Sequence, residues 1–149
     1  MFKNILLPTD GSRLAARGIK TGVRLAKSLG AKVTGVYVAQ PYLPPVYGEA
    51  AIYFPDDNLQ AAYEKGVRRQ AEKALEVVKR EAAAARVRAS VEWVTEALPW
   101  EGILKVARKR KCDAIVMSSH GRGALGGLLL GSETTRVLAH SKIPVIVVR

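Results

Sequence analysis

The chain has 149 residues, 48% hydrophobic and 25% charged, which is enough for one globular domain with a sizeable core and too little for two of typical size. Its 24 Lys and Arg against 13 Asp and Glu give a formal net charge of +11, and no apolar run approaches the length of a membrane span. The N-terminus runs straight into a strand-like segment without the long apolar region and cleavage site of a secretory signal, so the expectation is a soluble, cytoplasmic, single domain over residues 1–149.

The first predicted element is a short strand, Phe2 to Pro8, mostly apolar. Ser12 then caps a helix whose apolar side is Ala15, Ile19, Gly22, Val23 and Ala26, with Gly30 as its stop. On the other side of that helix Arg13, Arg17, Lys20, Arg24 and Lys27 follow a 4-3-4-3 spacing, which puts all five on one face. Residues 31–39 read as a second strand. The following segment, Ala39 to Asp57, holds four prolines and four aromatics, and a loop of that length serves either to cover a ligand or to meet a protein partner. Asp56 or Asp57 opens a long helix with a stripe of Tyr63, Val67, Gln70, Ala71, Ala74 and Val78, carried onward by the alanines to Ala85.

Residues 87–95 alternate with period two, Val87, Ala89, Val91 and Trp93 facing one way and Arg88, Ser90 and Glu92 the other. Pro99 suits the first turn of a helix through Ile103, Leu104 and Ala107. Near its end Lys105, Arg108, Lys109, Arg110 and Lys111 form a second basic cluster. A continuous apolar strand, 112–119, a short helix from near Ser132 and a last strand, 143–149, complete the chain. The single Cys112 has no second Cys or paired His for a disulfide or metal, and reads as a buried small hydrophobe at a strand entrance.

Strands joined by helical crossovers imply an α/β fold: a doubly wound, open, five-stranded parallel sheet with helices on both faces. The fully apolar first and fourth strands belong at the centre and the amphipathic third at an edge, which gives the order 3-2-1-4-5. The winding then reverses between strands one and four, and ligands of such sheets bind beyond the carboxyl ends of those strands. Pro8 to Ser12 follows strand one. Strand four is followed by Ser118 to Glu133, which holds five of the 13 glycines. That loop leads into a helix at Ser132, whose free N–H groups suit an anion. Gly121, Gly131 and Ser132 would supply backbone donors, and Arg122 a mobile positive charge. The same glycines serve equally well to turn the chain, with Ser132 as a plain helix cap.

The stretch Ser118 to Glu133, together with "LLPTDGS", "TGVYVAQ" and "IPVIVV", resembles the universal stress protein family across nearly the whole chain. Many members of that family bind ATP through Gly, two residues, Gly, nine residues, then Gly followed by Ser or Thr. Gly121, the nine residues Arg122 to Leu130, and Gly131-Ser132 match in spacing, while Ser118 replaces the pattern's first glycine. Glu133 beside Ser132 suits the helix dipole but opposes a phosphate unless a divalent cation such as Mg2+ lies between them. The resemblance implies that Pro8, Thr9 and Asp10 flank the ligand, with Asp10 near the ribose or a metal. It also implies that Val38 offers backbone groups to the adenine edge and that Met117, Ser118 and His120 pack around the base and loop.

His120 has no partners that sequence can assign to a catalytic triad, and reads as a hydrogen-bonded loop residue; His140 is placed to meet the last helix's carbonyls. The chain lacks the Gly-Lys-Ser/Thr ending of a P-loop, so little or no ATP hydrolysis is expected. The apolar last strand at a sheet edge implies a homodimer through 143–149. The expectation is therefore an ATP-binding stress-response or regulatory module. A nucleotide-free interaction protein of the same fold and a basic nucleic-acid-associated factor are the alternatives. The lack of aromatics among the basic residues disfavours the last.

Overall fold

A computed structural model of the chain describes residues 1–44, 57–120 and 130–149, together with the backbone of 46–47 and 52–53. In chain order the elements are β1 (Asn4–Pro8), α1 (Arg13–Leu29), β2 (Lys32–Ala39), β3 (Val46–Tyr47), β4 (Ile52–Tyr53), α2 (Asp57–Ala85), β5 (Ala89–Thr95), α3 (Pro99–Lys109), β6 (Ala114–Ser118), α4 (Ser132–His140) and β7 (Val145–Val148). Five of the strands form one parallel sheet in the order β5-β2-β1-β6-β7, the expected doubly wound arrangement. The pair β3–β4, antiparallel, lies within the segment read as a loop.

Alternation along the strands sorts the core into two layers. Ile5, Leu7, Val33 and Val116 pack with Ile19, Val23 and Ala26 of α1 and Val78 and Ala82 of α2. Leu6, Val36, Ile115 and Met117 pack on the opposite face with Ile103, Leu104 and Ala107 of α3 and Val137 of α4. Because β1 and β6 are covered on both faces, Ile5, Leu6, Leu7 and Ile115 are wholly inaccessible to water. The edge strand β5 is the half-exposed one, as its period-two pattern requires. Cys112 is buried ahead of β6, and that burial pushes its thiol pKa up.

Ser12 caps α1 as expected, its Oγ accepting from the Ala15 N–H at 3.0 Å, and Gly30 closes the helix with φ +65°. The α2 stripe is displaced from the reading. Its buried residues are Ala71, Ala74, Leu75, Val78 and Ala82, whereas Tyr63 and Gln70 remain exposed and Val67 half-buried. Length explains this: 29 helical residues span about 43 Å at the usual rise, and the eight of β2 only about 26 Å. The first turns of α2 therefore overhang the carboxyl end of the sheet.

Candidate functional site

The winding of the chain reverses between the parallel strands β1 and β6, and the two segments leaving those strands are both tightly tied. After β1, the Thr9 N–H donates to the Val36 carbonyl at 2.9 Å and the Gly11 N–H to Thr9 Oγ1 at 3.1 Å. Gly11 has φ +80°, a turn that a side chain would strain, and the Ser12 N–H then donates to Asp10 Oδ1 at 2.9 Å. The Asp10 carboxylate is thus held at the entrance to α1.

After β6, Ser118 Oγ donates to the His120 carbonyl at 2.6 Å and Thr134 Oγ1 to the Ser118 carbonyl at 3.1 Å. The Ser119 N–H reaches the Val148 carbonyl at 2.8 Å, and the Gly131 N–H returns to the Ser119 carbonyl at 2.7 Å. His120 Nδ1 lies 3.1 Å from Ser119 Oγ. The two ends of the glycine-rich stretch are therefore pinned to each other, to β7 and to α4. The hydroxyl of Ser118, which replaces the motif's first glycine, is turned back onto its own chain.

These segments border a cleft of about 740 Å3. Pro8, Thr9, Asp10, Val38, Met117, Ser118, His120, Gly131, Ser132 and Glu133 all line it, so ten of the expected site residues come together. Gly121 and Arg122 lie outside the described residues. The overhanging turns of α2 contribute a wall of Tyr63, Gly66, Val67 and Gln70, of which Tyr63, Val67 and Gln70 belong to the stripe expected from the sequence. Their 3-4 spacing correctly put them on one face, but that face meets the cleft beyond the end of the sheet.

Gly18 was also missed. A β-carbon there would stand 2.9 Å from the Ser118 nitrogen and 3.2 Å from the Met117 carbonyl carbon, so α1 approaches the end of β6 backbone to backbone. The signal was available in the spacing of Gly18 and Gly22 on the buried side of α1.

The helix α4 corrects two expectations. Its N-cap is Gly131, with no side-chain cap bond, and Ser132 is the first helical residue. The reason is local: the Gly131 carbonyl already accepts from the Thr135 N–H at 3.0 Å, so the helical bonding starts one residue before Ser132. The N–H groups of Ser132, Glu133 and Thr134 are left without intrahelical acceptors at the cleft. Glu133 does not aim its charge only at the cleft. Its Oε2 accepts from the Trp100 N–H at 2.9 Å and its Oε1 pairs with Arg136 at 3.3 Å. His140 sits at the other end of α4, Nδ1 at 2.9 Å from the Arg136 carbonyl and ring stacked on Trp100 at 4.4 Å.

Among the described residues no three His, Cys, Asp or Glu side chains gather as a metal site, and no helix is long and apolar enough to cross a membrane. A cleft where the winding of a parallel sheet reverses, bordered by a helix N-terminus and by the two ends of the glycine-rich stretch, defines the chain as a doubly wound α/β protein. It belongs to the universal stress protein family, whose model matches residues 1–149.

A universal stress protein of Thermus aquaticus is 34% identical over the whole of both chains. Another from Methanocaldococcus jannaschii, MJ0531, is 31% identical over all of this chain and 83% of its own. Among solved structures, that of MJ0577 from the same archaeon superposes with a TM-score of 0.76 at 26% identity, covering 99% of this chain and 96% of its own. A universal stress protein in complex with cAMP (TM-score 0.68, 23% identity, 99% and 97% covered) shares the fold. So does one from Archaeoglobus fulgidus in complex with dAMP (0.62, 17%, 100% and 98%).

Proposed function

We propose that the chain is a single-domain ATP-binding regulatory module of the stress response, which holds the nucleotide rather than turning it over. The observation that carries this reading is the convergence of Asp10, Val38, Met117, Gly131 and Ser132 on one cleft below the N-terminus of α4. In this reading the base packs beside Val38 and Met117, and the α2 wall of Tyr63 and Val67 excludes water from it. The phosphates take the N–H groups at the start of α4, with Gly121 and Arg122 completing the loop. Mg2+ fits as an ion brought with the phosphates, since it is bound through one or two carboxylates and keeps its other positions for phosphate and water; Asp10 supplies the carboxylate. Proteins of the same fold in complex with cAMP and dAMP support a nucleotide as the ligand class.

The reading extends to a homodimer through β7. All four of its residues are half-buried while one side of the strand has no partner among the described residues, and an open apolar edge favours pairing about a two-fold axis. Mass spectrometry of the small molecules released from purified, denatured protein tests the nucleotide. Adenine nucleotide in stoichiometric amount, or ATP binding by calorimetry to the emptied protein, is expected; neither would sink the reading. Analytical ultracentrifugation at micromolar concentration tests the dimer, which Val145→Lys should dissociate.

A further inference from the structure

We propose that the outer face of α1 is a binding surface for the phosphate backbone of duplex nucleic acid, separate from the cleft. All five basic residues of the stripe, Arg13, Arg17, Lys20, Arg24 and Lys27, are exposed, and the helix contains no acidic residue. The second basic cluster, which looked equivalent in sequence, is not. Lys105 pairs with Glu96, and Lys109 and Arg110 both pair with Glu92, so three of its cations are spent on tying α3 and its C-cap to β5 and the residue that follows it. The other ion pairs among the described residues lie within α2 and α4, and none involves α1. Neighbours on the stripe repel at every i,i+3 and i,i+4 step, and Arg13 stands at the positive end of the helix dipole. The Asp10 carboxylate stands at the entrance to α1, ahead of Arg13, but no ion pair among the described residues reaches Arg17, Lys20, Arg24 or Lys27, which is the arrangement an external polyanion would relieve.

The shape of the patch selects the polyanion. The stripe is a row of about 21 Å at the helical rise, long enough to span about six base-pair steps along a duplex axis. A lipid surface would call for apolar side chains to insert beside the cations, but α1 turns its apolar side onto the sheet and none of its large apolar residues is among the exposed ones. The absence of aromatics, which argues against stacking on single-stranded bases, has no bearing on backbone contact with a duplex. Binding of this kind reads no sequence and falls steeply with salt.

The test is fluorescence anisotropy with a labelled mixed-sequence duplex over a salt series, using three proteins. The parent should bind with a negative log–log salt slope. Arg17→Gln/Lys20→Gln/Arg24→Gln should lose at least tenfold in affinity at low salt and flatten the slope by about 2 to 3, at ~0.9 per lost phosphate contact. Lys65→Gln/Arg69→Gln/Lys73→Gln removes the same three charges from exposed positions of α2 and should change little. Thermal unfolding confirms that both variants are folded. Equal losses in the two triples would reduce the effect to bulk charge, and no duplex binding by the parent at low salt would end the proposal. So would tighter binding to phosphatidylserine vesicles or to polyglutamate than to the duplex. The α1 triple should keep the parent's nucleotide affinity, so failure of this surface is separable from failure of the cleft.

Discussion

The Glu133 carboxylate accepts a hydrogen bond from the Trp100 main-chain N–H at 2.9 Å, so the first turn of α4 caps the first turn of α3. The need for it is written into α3. Its N-cap is Leu98, which has no side-chain acceptor, and Pro99 at the first position removes one free N–H and leaves that of Trp100 to be satisfied. A carboxylate at that end also suits the dipole. Glu133→Ala should therefore destabilise the protein by about 1 kcal/mol, the usual worth of a lost N-cap. Glu133→Gln, which keeps an acceptor, should cost less. Neither should weaken nucleotide binding, because the charge removed lies beside the phosphate end of the cleft. Urea unfolding and ATP calorimetry on the same variants check both halves; a parallel loss of affinity would make Glu133 a ligand-binding group instead.

Gly18 sets the distance between α1 and β6. In a free helix Gly→Ala stabilises by about 0.5–1 kcal/mol, but here the new β-carbon would press on the Ser118 nitrogen at 2.9 Å, and backbone cannot rotate away. Gly18→Ala should be net destabilising by about 1–3 kcal/mol, the cost of overpacking. At Gly66 of α2 nothing lies within 4 Å, so Gly66→Ala should stabilise. Opposite signs for two identical substitutions, read by thermal unfolding, are the expected result; two stabilised variants would mean that α1 floats on β6.

The fold was legible in the sequence because its signals are periodic. Leu6 and Leu7 face opposite layers, and the continuous run through Ile115 and Val116 left β6 nowhere but the centre of the sheet. The place of the cleft was legible because the topology fixes where β1 and β6 end, while Pro8, Thr9, Asp10, Val38, Met117, Ser118 and His120 were named by the resemblance to the universal stress protein family. What the pattern could not reveal was pairing over long separations. Glu133 reads as a charge opposed to phosphate until Trp100, 33 residues away, comes into reach. Likewise Lys109 and Arg110 read as a free basic cluster until β5 brings Glu92 beside them. Tyr63 and Val67 were assigned to the right helix face, but only the overhang of α2 turns that face from core to cleft wall.

The Glu92 pairs give a pH dependence with a definite sign. The hydrogen bond from Arg110 holds the Glu92 carboxyl below the usual carboxylate range, aided by Lys109 and opposed by desolvation. The folded protein therefore keeps this group ionised at pH values where the unfolded chain has taken up a proton. Its contribution is complete above the unfolded pKa of about 4.3 and is lost as pH falls through the lower folded value. Glu92→Gln should reduce stability at pH 7 and flatten the acid limb, the difference between the two proteins shrinking as pH falls below the unfolded carboxylate pKa of about 4.3. Denaturant midpoints between pH 3 and 7 decide it; a constant difference down to the lowest pH would assign the effect to packing.

The loop variants separate turn from ligand. Gly131 has φ −70°, open to any residue, so Gly131→Val brings no backbone strain of its own. Its β-carbon would stand 3.2 Å from the Ser119 carbonyl oxygen and 3.4 Å from the His120 Cα, crowding the two pinned ends of the loop where the α4 N–H groups open on the cleft. Ser132 caps nothing, so Ser132→Ala should leave stability unchanged and lower ATP affinity by about 1 kcal/mol, one hydrogen bond to phosphate. Ser118→Gly restores the family's motif glycine and removes the bond to the His120 carbonyl, so it should keep or raise affinity at a small cost in stability. The expected order of ATP affinity by calorimetry with magnesium is Ser118→Gly equal to or above the parent, Ser132→Ala below it, and Gly131→Val with almost none, all four folded by thermal unfolding. Heat of binding that is the same in all four would leave the glycines to the turn alone. Heat absent from both the parent and Ser118→Gly would hand the cleft to a ligand other than ATP.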